Sequence, residues 1–236
     1  MRMNSHTDYV GWYGLNTNTD THMIKNSEWG AVAYLSHSKY GTCTNGTCKE
    51  IGINNNSNYI TGCGAAAGSS SSTTCNAYNT ATGMLASTTG NIYGVYDMSG
   101  GTIEYTMSNI VSNDGTTMMS GYNSSVNSGY TGKTYESGTY TAYTGIDYPN
   151  NKYYDKYSFS TSDDSRIRSK LGDGIKEVYN GSYGWYSDNS KFTNSVNPWF
   201  RRGGEHSNLV YAGVFNSSGE FGYADSYISS RLVITP

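Results

Sequence analysis

The chain has 236 residues, enough for one large domain or two small ones with a real core. A net charge of −3 provides no broad basic surface for nucleic acid, and no stretch approaches the roughly 18 apolar residues of a membrane span. Charged residues make up only 14%, against about 25% in ordinary domains. Gly (29), Tyr (24), Ser, Thr and Asn take their place, which fits either a loop-rich extracellular domain or an adaptable recognition surface.

Residues 1–20 are a polar, turn-rich segment leading into a domain that spans 21–236. NSEWGAVAYLSHSKYG predicts a helix over about 27–39, capped by Asn26 or Ser27. Trp29, Val32, Ala33 and Ser36 would share its buried face, and Gly41 would form a left-handed C-terminal cap. Residues 41–80 read as a loop region tied by disulfides. Its four cysteines are Cys43, Cys48, Cys63 and Cys75. TCTNGTC fits a tight loop closed by Cys43–Cys48, which leaves Cys63–Cys75 to bridge GAAAGSSSSTT. Three pairings exist, and four thiolates holding zinc are the rival, but no CxxC knuckle is present.

ATGMLAS predicts a short helix near 79–86. Ile92, Val95 and Tyr96 precede a Gly100–Gly101 turn, and Thr102–Met107 has strand character. Residues 112–160 carry few strong signals. RIRSKLGDGIKEVY predicts a second short helix, interrupted near Gly172–Gly174, with Arg166, Arg168, Lys170, Lys176 and Glu177 as its solvated face. SRLVI reads as a short buried strand close to the C-terminus. The class is therefore α+β, with few short helices and strands, much irregular loop and no internal repeat.

Catalytic signatures are missing. His6, His22, His37 and His206 make no HExxH, and there is no GxSxG, Walker loop or GxGxxG after a strand. Asp163 and Asp164 are adjacent and, with Asp155, can bind Ca²⁺, but they do not form an EF-hand loop, and helix capping explains them better. Asp97 and Glu104 flank the glycine turn as structural carboxylates, expected to bond to backbone. No catalytic residue, metal site or cofactor is expected, Ca²⁺ being compatible but unsupported. The opening MRMNSH has no signal-peptide core. Disulfides without a secretion signal predict an ectodomain whose export or anchoring signals lie outside this sequence.

Three ordered motifs carry a resemblance. GVYDMSGGTIEY (94–105) resembles the central segment of the formylglycine-generating-enzyme type of C-type lectin fold. NSEWGAVAYL resembles that family's early helix, and WFRRGGEHSN with SRLVI resembles its closing segment. The enzymes of the family carry reactive cysteines late in the chain. Here none follows Cys75, so the likeness carries no thiol chemistry. A closer resemblance is to the variable proteins of diversity-generating retroelements, particularly the Firmicute and gut-phage group. In these the same fold presents a hypervariable C-terminal segment.

That resemblance divides residues 201–234. Arg202, Gly203, Gly204, Ala212, Gly213, Val214, Phe215, Gly219, Gly222, Ala224, Ser230, Arg231, Leu232 and Val233 would be framework. Glu205, His206, Asn208, Leu209, Tyr211, Asn216, Ser217, Ser218, Glu220, Phe221, Tyr223, Asp225, Ser226, Tyr227 and Ile228 would be presented to ligand. Independently of any likeness, apolar side chains on a glycine-punctuated segment suit binding better than solubility, unless Leu209, Phe221 and Ile228 are ordinary core. The expectation is a non-catalytic, surface-displayed receptor, bacterial or phage, monomeric in isolation. Its mixed aromatic face suits a protein ligand, with a glycan as the alternative. A pilus-tip or phage-tail decoration domain, and a metal-assisted enzyme of the same fold, are the competing readings.

Overall fold

A computed structural model describes residues 19–54, 61, 76–111, 151–158, 168–181, 183–194, 197–223 and 225–235. These form a mixed α+β fold with one α-helix, nine short strands, several 3-10 turns and much loop among the described residues. The elements are β1 (Asp20–Met23), α1 (Asn26–Ser36), β2 (Cys43–Thr44), β3 (Thr47–Cys48), β4 (Ile103–Ile110), β5 (Asp155–Tyr157), β6 (Trp199–Gly203), β7 (Gly213–Glu220), β8 (Ile228–Ser230) and β9 (Leu232–Thr235). No helix among the described residues is long and apolar enough to cross a membrane.

Helix α1 forms where the sequence places it, but its ends are held differently. Lys25, not Asn26 or Ser27, is the N-cap, and its N–H donates to Glu28 Oε2 (2.9 Å). The next two amides are satisfied from distant strands. Asn26 N–H donates to Ser108 Oγ (2.8 Å) and Ser27 N–H to Asp155 Oδ2 (2.7 Å). The orphan donors of a helix start thus anchor α1 on β4 and β5. Trp29, Ala33 and Ser36 are buried, with Val32 packed at the margin of the core. The helix ends at Ser36, earlier than expected, and Gly41 is not a left-handed cap. Instead Thr42 N–H donates to Ser36 O (2.7 Å), and a Cβ on Gly41 would lie 2.0 Å from that same carbonyl. Close approach, rather than backbone handedness, requires glycine there.

The Cys43–Cys48 disulfide closes the β2–β3 ribbon. Cys63 and Cys75 lie outside the described residues, as do Asp163 and Asp164. The expected short helix near 79–86 is a 3-10 turn, Gly83–Ala86. The Gly100–Gly101 turn and the strand after it are present, the strand running to Ile110.

The main sheet runs β5-β4-β6-β7. β6 lies antiparallel between β4 and β7, while β5 and β8 each pair parallel with a different half of β4. A second, two-stranded sheet joins β1 to β9. SRLVI joins the end of β8 to β9, so it is largely strand, but half-buried rather than buried: Val233 packs at the margin of the core and Ile234 faces solvent. RIRSKLGDGIKEVY does not form the predicted helix in residues 169–181. Gly172 (φ 98°) and Gly174 (φ 66°) turn the chain so that Asp173, Ile175 and Val178 enter the interior. Both glycines occupy the left-handed region that breaks a right-handed helix.

Two apolar clusters result. One contains Ile24, Trp29, Ala33, Ile51, Met98, Val178, Val214 and Phe215, beneath α1. The other stacks Phe192, Phe200 and Tyr157 edge to face with Ile110 and Ile175. In the first, Trp29 Nε1–H donates to Val214 O (2.7 Å), and the guanidiniums of Arg202 and Arg231 lie 6.0 and 5.5 Å from its ring centre. Arg202 is fully buried and donates to Asp173 O and Gly174 O. Arg231 forms an ion pair with buried Glu104 and donates to Tyr96 O and Asp97 O, both at 3.1 Å. Burial drives the Glu104 carboxyl up from its ordinary value, and Arg231 opposes that shift. Glu104 is structural as expected, but through a side-chain cation. Asp97, at φ 59°, likewise accepts from the Asn54 and Thr61 side chains.

Glu104→Gln keeps the volume and leaves the Arg231 guanidinium without its anion. It is expected to lower stability by about 3 kcal/mol, read as a lower urea midpoint at unchanged slope. Arg231→Lys should fall comparably, because one ammonium cannot reach Glu104 and both carbonyls. A loss below about 0.5 kcal/mol in both variants would contradict the assigned role.

Candidate functional site

The C-terminal segment separates into locked and open positions. Arg202, Gly203, Gly204, Ala212, Gly213, Val214 and Phe215 are all buried. Gly203 (φ 83°) sits where a Cβ would meet Met98 O at 3.1 Å and the Trp29 ring at 3.4 Å. At Gly213 a Cβ would overlap the Asp188 carboxylate, whose Oδ2 accepts from Phe215 N–H (2.8 Å). Gly219, Gly222, Arg231, Leu232 and Val233 are half-buried, Ser230 is exposed, and Ala224 lies outside the described residues.

Between the buried glycines, residues His206–Tyr211 make a 3-10 turn. Glu205 and Asn208 hold its start: Glu205 N–H donates to Asn208 Oδ1 (3.0 Å), and Ser207 Oγ–H to Glu205 Oε1 (2.8 Å). His206 packs against the β-turn, its N–H donating to Gly101 O (2.8 Å). Leu209 takes a left-handed backbone, φ 52°. It is 48% exposed, Tyr211 is 45% exposed, and Val210 is more open still. Tyr211 stacks on Tyr183 (centroids 5.3 Å), beside the turn carrying exposed Trp185 and Tyr186. Leu209 is therefore not core.

Asn216, Ser217 and Ser218 depart from expectation. They lie in β7 and are buried, not presented. β6 covers one edge of the strand and residues 189–191 cover the other: Lys191 N–H donates to Ser217 O, and Ser217 N–H to Asn189 O, both at 2.9 Å. Ser217 Oγ–H also donates to Lys191 O (3.0 Å), which removes Ser217 from any ligand face. Asn216 and Ser218 project from the opposite face of β7 and line a cavity of about 490 Å³. Arg201, in register with Ser218, lines it from β6. Glu205 and Asn208 line it from the turn, and Asn189, Asn194 and Asn197 from the preceding loop. Asn216 Nδ2–H donates to Tyr211 O (2.7 Å), tying the cavity wall to the exposed turn.

On the other side, Arg201 Nη1 pairs with Glu220 Oε2 (3.1 Å). Phe221 and Tyr223 are half-buried and stacked at 4.6 Å, and the Tyr223 hydroxyl bonds the Tyr227 hydroxyl. Burial and that bond push the Tyr223 phenol up, with Glu220 adding to the shift and Arg201 opposing it. Asp225 and Ser226 are exposed, whereas Ile228 is half-buried in β8 opposite Ile103.

Sequence reasoning missed the whole 183–197 contribution. The signal was composition: YNGSYGWYSDNSKFTN (179–194) is rich in Tyr, Asn, Ser and Gly, as is the C-terminal segment. Among the described residues, no group of three or more His, Cys, Asp and Glu is disposed to hold a metal. His22 bonds Glu28 (2.8 Å), and His37 is half-buried against Phe215 and Tyr186, where burial lowers its pKa. Asp155 caps α1.

Asp188 holds the start of β7 from beneath, and burial with the nearby Glu50 charge pushes its carboxyl up to about 8. Burial raises Glu50 to about 7. Both folded values exceed the unfolded ones, so the fold binds these protons more tightly than the open chain does. Their stabilising contribution is complete below about pH 4 and is lost as pH rises through 7 to 8. The urea midpoint should therefore fall between pH 5 and pH 8. Asp188→Asn, which keeps the acceptor for Phe215 N–H, should flatten that fall; an unchanged pH slope would remove Asp188 from the account. No family model, curated protein or solved structure matches this chain.

Proposed function

We propose that this chain is a non-catalytic binding module with a C-type-lectin-like fold of the formylglycine-generating-enzyme type, whose C-terminal segment presents a ligand-specific surface. The observation that carries this reading is the turn at 206–211. Leu209, Val210 and Tyr211 stand out to solvent between the buried pairs Gly203–Gly204 and Ala212–Gly213. Tyr183, Trp185 and Tyr186 extend the same apolar cluster. Exposed aromatic and aliphatic anchors on a fixed frame are the usual energetic centre of a protein interface, and a frame already in place loses little entropy on binding.

The order of the motifs SEWGAVAYL, GVYDMSGG and RRGG … SRLVI supports kinship with the variable proteins of diversity-generating retroelements. The Cys43–Cys48 disulfide supports display outside the cell. The ligand is a protein, bound by a monomeric receptor, and Glu205, His206 and Asp225 add polar selectivity around the apolar anchors.

Sequencing this locus across clonal isolates tests the reading. Substitutions should concentrate at Leu209, Tyr211, Phe221, Tyr223 and Tyr227 and spare Gly203, Gly213 and Phe215. A second copy of the stretch encoding 201–234, differing only where it carries adenine, should lie beside a reverse-transcriptase gene. Variation spread evenly over both sets, with no such copy, overturns it. In the purified protein, Leu209→Ser with Tyr211→Ser should shift stability by no more than about 1 kcal/mol; a larger loss would make these residues core.

A further inference from the structure

We propose that the cavity between the β6–β7 face and residues 189–194 with Asn197 is a second binding site, for an uncharged polyhydroxylated ligand of mono- or disaccharide size. Its volume, about 490 Å³, falls within the range of small-molecule sites, about 300–1,000 Å³. Its walls are chiefly neutral and polar. Five asparagines line it, and Phe192 and Ile103 add an apolar floor.

Three buried polar atoms on this face lack partners among the described residues: Asn216 Oδ1, Ser218 Oγ and Arg201 Nε. Asn216 is 1% exposed and Ser218 9%, so bulk water does not solvate them freely. Buried groups of this kind are ordinarily hydrogen-bonded, and leaving them unmet costs about 1–3 kcal/mol each. Together they supply an acceptor (Asn216 Oδ1), a donor (Arg201 Nε) and a group that does both (Ser218 Oγ–H). A sugar hydroxyl likewise donates and accepts.

The charged side chains of the interior already have partners. Arg201 pairs with Glu220, and Glu205 accepts from Ser207 and Asn208. Lys191 is exposed at the rim. Nothing in the interior selects an ion, which favours a neutral polyol over an acidic sugar. The site adjoins the Leu209–Tyr211 surface and shares Glu205 and Asn208 with it, but neither Leu209 nor Tyr211 lines it.

Saturation-transfer NMR and calorimetry with the methyl glycosides of glucose, galactose, mannose and N-acetylglucosamine test the proposal. At least one should bind with a dissociation constant below about 10 mM, unchanged between about 50 and about 500 mM NaCl. Ser218→Val, which removes the hydroxyl and intrudes on the space, should weaken that binding at least about tenfold. Asn197→Leu, at a half-buried position on the loop wall, should also weaken it and serves if Ser218→Val does not fold. Leu209→Ser with Tyr211→Ser should leave glycoside binding intact, so that failure of the surface-receptor reading and failure of this one are separable. Binding by none of the four, salt-sensitive binding of glucuronate alone, or binding unaffected by both cavity variants would each overturn the assignment.

Discussion

One indole organises this fold. Trp29 lies in the first turn of α1, wholly buried, with a guanidinium near its ring from each of two distant segments. Its N–H holds the Val214 carbonyl at the start of β7. Arg202 extends the contact to the Asp173–Gly174 turn, and Arg231 extends it to Glu104 on β4 and to the Tyr96–Asp97 backbone. Cation–π attraction of this kind contributes about 2 kcal/mol or more when desolvated. Its larger effect is selectivity. A buried guanidinium stripped of partners is severely destabilising, so each arginine tolerates few arrangements of the elements it joins. The helix, the central strand, the β6–β7 hairpin and the terminal strand are thereby registered on one aromatic ring.

The registered elements determine which side chains the C-terminal segment can expose. β6 and β7 pair with Arg202 opposite Ser217 and Arg201 opposite Ser218. Side chains alternate across a strand, so the first pair faces the Trp29 side and the second faces the cavity. Gly203 and Gly213 mark the register shift at the open end of this hairpin, where the chain leaves β6 for the turn at 206–211. Everything between them is free of the sheet. The exposed apolar cluster and the amide-lined cavity are thus two sides of one construction: the turn that escapes the ladder, and the strand face that the ladder leaves toward the 189–197 loop.

Much of the framework was legible because its residues meet hard local constraints. SEWGAVAYL has a helical apolar face, Gly100–Gly101 precede a strand-like run, and RRGG and SRLVI combine small residues with buried or paired ones. What stayed hidden depends on partners far away in sequence. Asn216, Ser217, Ser218 and Gly219 have poor intrinsic strand preference, yet they form β7 because β6 and residues 189–191 bond both edges. Polarity suggested exposure; two-sided pairing gives burial. The helix expected in 166–179 failed for the opposite reason. Ile175 and Val178 are buried and Leu171 is exposed, but two left-handed glycines and Arg202's demand for the 173 and 174 carbonyls convert it to turns. The cavity had no linear signature, since its walls come from three separate stretches.

Leu209 shows how firmly the turn is held by its own surroundings. A leucine at φ 52° carries strain of about 1–3 kcal/mol and persists only where its surroundings over-determine the backbone. Here Glu205 and Asn208 cap the turn before it, and Asn216 grips the Tyr211 carbonyl after it while Tyr183 stacks on the Tyr211 ring. Those restraints act on backbone and on the residues flanking Leu209, while the Leu209 side chain itself is largely left to solvent. Side-chain identity at that position is consequently decoupled from the geometry of the loop. Under the proposed function, a different residue there would change what the surface recognises more than how it is held, which is the property a segment needs if it is to carry many specificities on one fold. Because the restraints are met within the chain, the loop is held without outside help, and under the proposed receptor function little conformational freedom would be left for binding to remove.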